Sequence, residues 1–93
     1  MKTIWKFPLE LTDRQTIKMP IDAQILSVQS QGNVICLWAI VDECDGNRLV
    51  PRTFFIAGTG NPLPCNPKSM AFIGTVQIVP FVWHVFESQV QHG

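Results

Sequence analysis

Near its C-terminal end the chain runs Ala71-Phe72-Ile73-Gly74-Thr75-Val76-Gln77-Ile78-Val79-Pro80-Phe81-Val82-Trp83-His84-Val85-Phe86-Glu87, which reads as two strands joined near Pro80. The second strand is apolar on both faces except for His84. Alternation puts Val82, His84 and Phe86 on one face and Phe81, Trp83 and Val85 on the other. A strand this apolar has to be covered on both sides, and 93 residues leave little to cover it with. The chain is therefore expected to be β-rich and to complete its core by self-association.

Composition points the same way. Apolar residues make up 46% of the chain and charged residues only 15%, against about 25% in an ordinary domain. Fewer charges mean less solvated surface, so a homo-oligomer is expected. The length fits one domain, 1–93, with 88–93 as a polar, flexible tail. Seven basic and seven acidic side chains give a net charge of zero. A duplex binder needs surplus Lys and Arg to displace counterions, so general nucleic-acid binding is not expected. Cys36, Cys44 and Cys65 are odd in number and lack a Cys-x-x-Cys spacing, which argues against a disulfide framework. The first residues hold no long apolar stretch, and no run nears a membrane span. A cytoplasmic protein with no membrane partner is the expectation.

The rest of the chain reads as further short strands. Thr3 to Leu9 carries Thr3, Trp5 and Phe7 on one face, and Pro8 means that it is an edge strand or ends there. Gln15 to Met19 is a second strand, anchored by Ile17 and stopped by Pro20. Ile21-Asp22-Ala23 is a turn. Gln24 to Ser30 and Val34 to Val41 flank Gly32-Asn33, a strong hairpin signal. The unbroken apolar run of Val34 to Val41 predicts a central strand buried on both faces. Arg52 to Thr59 is another strand, followed by a loop with Pro62, Pro64 and Pro67. No helical stripe is present. The fold class is all-β (or β-rich α+β): a small antiparallel barrel or sandwich of six to seven short strands.

Candidate sites follow from residue chemistry. Gly58-Thr59-Gly60-Asn61 lets backbone approach a ligand, and successive amides can form an anion nest. No Gly-Lys-Ser/Thr follows, so it is not a P-loop, and the competing reading is a plain turn. His84 can donate to a phosphate or a ring, or can be a core histidine with one partner. Trp5, Trp38 and Trp83 can stack a flat ring or fill the core. Lys6 beside Trp5, and Arg52 before Phe54-Phe55, suggest an aromatic-plus-cation pocket. Asp42, Glu43, Asp45 and Asn47 suggest calcium, but position twelve of an EF-hand counted from Asp42 is Thr53 rather than Glu. Cys44, Cys65 and His84 lack the short ligand spacings of structural zinc. No metal, cofactor or catalytic residue is expected, because a cysteine nucleophile needs a base within reach, the only histidines are His84 and the tail His92, and no serine elbow is present.

Longer motifs carry a resemblance. Lys2-x-Ile4-Trp5-Lys6-Phe7-x-Leu9, Cys36-Leu37-Trp38-Ala39, Arg52-Thr53-Phe54 with Gly58-Thr59-Gly60-Asn61-Pro62, Gly74-Thr75-Val76-Gln77 and Pro80-Phe81-Val82-Trp83-His84-Val85-Phe86-Glu87 are similar to a family of short, uncharacterised proteins of bacteriophages and prophages. Similar sequences are expected to carry a glycine before Pro80, where this chain has Val79. The resemblance implies the context of a host bacterial cell and of phage accessory proteins that counter host defence. The resulting expectation is a non-enzymatic protein that binds a small anionic ligand, as a sponge for a nucleotide immune signal. The expected site is Arg52, Gly58, Thr59, Gly60, Asn61, Trp83 and His84. The alternatives are an interaction module that inhibits a host defence protein, or a small nucleotide hydrolase.

Overall fold

The computed structural model describes residues 1–43 and 48–90. The strands in chain order are β1 (Lys2–Leu9), β2 (Arg14–Pro20), β3 (Gln24–Gln31), β4 (Val34–Asp42), β5 (Leu49–Gly58), β6 (Met70–Ile78) and β7 (Phe81–Ser88). A 3-10 turn, Pro67–Ser69, precedes β6. Two antiparallel sheets result, ordered β1-β4-β3 and β2-β5-β7-β6. The all-β expectation holds, and of the two architectures expected the open sandwich is the one found. Helix formation is disfavoured by the β-branched and aromatic runs.

Turn chemistry sets the registers. Gly32 and Asn33 both have positive φ, 56° and 64°, the two-residue geometry that matches strand twist in a hairpin. Gln31 therefore faces Val34, and each earlier pair follows. The Val79-Pro80 peptide is cis, and β6 and β7 pair outward from Ile78 opposite Phe81. Asp22, with φ of 63°, turns the chain from β2 into β3, and Ala23 N–H donates to the Pro20 carbonyl.

The core lies between the sheets. Leu37, Ala39 and Val41 of β4 meet Phe54 and Ile56 of β5 and Val85 of β7, all nearly inaccessible. Met19 is fully buried and anchors β2 more deeply than the half-buried Ile17 does. β3 lies against β6 across the sandwich. There a Cβ on Gly74 would come within 2.7 Å of Val28 Cγ1, so glycine is what allows the close approach.

The strands expected to be buried on both faces are only partly so. In β4, Cys36 on the outer face is buried, but Trp38 and Ile40 are half-exposed. In β7 only Val85 is fully buried, while Val82, Trp83, His84 and Phe86 are intermediate and Phe81 is exposed. β5 and β6 run in the same direction with β7 between them. Residues 59–69 therefore have to cross β7, and the first sheet already occupies its inner face. Phe55 and Ala57, which point to the outer face, are also buried.

Candidate functional site

The sequence-derived candidates separate into two places. Gly58, Thr59, Gly60, Asn61, Trp83 and His84 gather where β5 ends beside β7. Arg52 lies six residues earlier on β5, about 20 Å away along an extended strand.

At the first place the backbone forms a closed turn. Thr59 N–H donates to the Val82 carbonyl, and Asn61 N–H donates to the Gly58 carbonyl. Gly60 takes φ of 88°, a region that favours glycine. A Cβ on Gly58 would lie 2.8 Å from Asn61 Nδ2 and 3.1 Å from Trp83 Cζ3, so the carboxamide and the indole both rest on the missing side chain. The amides of Thr59 and Asn61 are thus committed to protein carbonyls instead of an anion nest. Gly58→Ala is expected to push the Asn61 amide and tilt the Trp83 ring. The cost is about 1 kcal/mol, read by denaturation, with a change in tryptophan emission.

Trp83 and His84 point to opposite faces of β7. Trp83 faces inward, against the core cluster. His84 faces outward, where its Nε2 meets Thr59 Oγ1 at 2.7 Å and its Nδ1 meets Thr75 Oγ1 at 3.0 Å. A hydroxyl can donate or accept, so either ring tautomer is satisfied. The imidazole fastens the Gly58–Asn61 turn to β6. Thr75 was absent from the sequence-derived site. Its signal was the hairpin register, because counting outward from Ile78 and Phe81 sets Thr75 opposite His84.

Arg52 is held elsewhere. Its Nε donates to Glu87 Oε2 at 2.6 Å and its Nη2 to Glu87 Oε1 at 2.7 Å, while Nη1 donates to the Ala23 carbonyl. The pairing of Lys6 with Trp5 separates as well. Consecutive strand residues face opposite ways, so Lys6 shares the face of Trp38 rather than that of Trp5, and it donates to Gln31 Oε1 at 2.6 Å. Trp5 instead neighbours Phe7, with ring centroids 6.3 Å apart.

Two clefts flank the β6–β7 turn. One of about 660 Å³ is lined by Leu9, Leu11, Asn33, Val34, Ile35, Ile78, Val79, Pro80, Phe81 and Trp83. The other, of about 360 Å³, is lined by Gly58, Thr59, Asn61, Pro80, Phe81, Val82 and Trp83. Pro80, Phe81 and Trp83 belong to both, and among the described residues no charged one lines either. His84 lines neither. The cleft walls are apolar and aromatic, with Thr59, Asn61 and Asn33 as polar points.

Cys44, Asp45 and Asn47 of the metal readings lie outside the described residues. Asp42 pairs with the N-terminal amine of Met1 at 3.2 Å. Among the described residues no cluster of three His, Cys, Asp or Glu could hold a metal ion, and no helix is long and apolar enough to cross a membrane.

Residues 1–93 match the family described as a domain of unknown function, DUF7352, and the chain belongs to it. Comparisons with curated proteins and with solved structures gave no match.

Proposed function

We propose that this member of DUF7352 is a non-enzymatic binding protein that holds a small, flat ligand at the end of the sandwich carrying the Val79-Pro80 turn. The observation that carries the reading is the pair of uncharged clefts sharing Pro80, Phe81 and Trp83. Apolar, aromatic concavities with a few polar points are the usual form of small-molecule sites. The lining moves the ligand away from an anion held by charge, because Arg52 is paired with Glu87. A nucleotide signal would enter through its base, with its phosphates toward solvent. The sponge role implied by the phage resemblance would be this same binding, stoichiometric and without turnover.

Calorimetry with adenosine, guanosine and adenosine monophosphate tests it. A Kd on the order of 100 μM is expected for the better nucleoside. Adding a phosphate should change that little, since no cation lines the clefts. A flat trace with all three probes overturns the reading, and a gain of tenfold or more from the phosphate restores the anionic one.

One observation favours a second reading. Leu11, Val79 and Phe81 around the larger cleft are 59%, 81% and 59% exposed, a surface that a protein partner could cover with Phe81 as an anchor. A stoichiometric protein complex that Phe81→Glu abolishes, with no nucleoside binding, would select it.

A further inference from the structure

The four edge strands of this sandwich fall into two kinds. β1 and β2 lie on one side. β1 carries Lys2, Lys6 and Pro8, and β2 carries Arg14, Lys18 and Pro20. β3 and β6 form the other side, Gln-Ile-Leu-Ser-Val-Gln-Ser-Gln and Met-Ala-Phe-Ile-Gly-Thr-Val-Gln-Ile, with no charge and no proline in either. Charges, prolines and β-bulges keep an exposed edge from pairing with another chain. This protein places its edge-strand charges and prolines on one side only, and β3 and β6 carry just one register irregularity each, between Ile25 and Ser27 and between Phe72 and Gly74.

We propose that β6 is a pairing edge for a second copy of this chain, extending the four-stranded sheet antiparallel across a two-fold axis. The irregularity between Phe72 and Gly74 leaves Gly74 to Ile78 as the regular stretch. A two-fold axis at Val76 sets Val76 against itself and Thr75 against Gln77. A strand that meets its own copy suffers when like charges face each other, and β6 has none to oppose. Phe72, 60% exposed beside Phe86 at a centroid distance of 5.5 Å, extends the apolar surface at this edge. A second copy suits such an edge better than a foreign segment, because the self-match requires no partner sequence at all. The pairing stands apart from ligand binding, and its assay needs no ligand.

Sedimentation of the intact chain over a dilution series from millimolar to low micromolar tests it. The expected species is twice the 10.5 kDa chain mass, dissociating on dilution. Phe72→Lys/Gln77→Lys gives β6 the protection that β1 and β2 already carry, and it should yield monomer at every concentration with an unchanged circular dichroism spectrum. Lys18→Gln on β2 should leave the dimer intact. Hydrogen exchange on the unaltered chain provides a readout independent of variant folding: β6 amides should slow with concentration while those of β1 and β2 do not. A chain that is monomeric throughout, a dimer indifferent to the two lysines, or concentration-dependent protection away from β6 would each overturn the proposal.

Discussion

Arg52→Met is expected to lower the stability of the fold by about 3–4 kcal/mol in chemical denaturation. The Arg52 and Glu87 side chains are 17% and 14% exposed and meet through two parallel hydrogen bonds. Removing the guanidinium leaves a mostly buried carboxylate without its partner and frees the Ala23 carbonyl as well. Ala23 ends the turn before β3, so the same change unfastens one sheet from the other. Glu87→Leu should cost less, about 2–3 kcal/mol. The guanidinium then keeps Ala23, and the adjoining polar cleft of about 650 Å³ lets water reach it. The double variant Arg52→Met/Glu87→Leu should be more stable than Arg52→Met alone, since two apolar side chains leave no orphaned charge. A 93-residue domain has roughly 5–14 kcal/mol in total, so the single change removes a large share. If Arg52→Met costs under about 1 kcal/mol, the pair behaves as a surface ion pair and contributes little.

That ion pair also marks where the sequence stopped being legible. The strands could be read, because alternation and turn residues are local: Gly32-Asn33 announces its own hairpin, and Pro8 its own edge. Sheet membership is not local. Nothing near β5 says that it lies beside both β2 and β7, so Arg52 looked available for a ligand. One signal was present. Arg52 and Glu87 are the only formal charges in β5 and β7, and lone charges on interior strands have to find each other. The larger cleft was invisible for the same reason, since it draws on the ends of three separate segments around Leu9, Val34 and Pro80. His84 was legible as an unusual residue with two readings, a ligand donor or a structural histidine. Its partners were not, since only the register and the β5 turn place two threonine hydroxyls on its ring.

The second large effect is expected at Trp83, and it separates the two residues that sequence reasoning had joined. Trp83→Ala should abolish the calorimetric signal for adenosine and cost about 2–4 kcal/mol, somewhat less than a fully buried aromatic because the ring is only half-buried. The indole lines both clefts, covers Gly58 and sits 5.8 Å from the Phe81 ring. Loss of binding alone could follow from a loosened fold, so Trp83→Phe is the deciding variant. It keeps a flat ring on Gly58, and it should bind within a few-fold of the unaltered chain at a cost of about 1 kcal/mol. His84→Ala should do the reverse of Trp83→Ala: it removes two hydrogen bonds to threonine on the outer face, costs about 1–2 kcal/mol, and leaves adenosine affinity unchanged. Equal loss of affinity in His84→Ala and Trp83→Ala would mean that the ligand sits on the outer face beside Thr59 and Thr75, and the end-cleft site would be wrong.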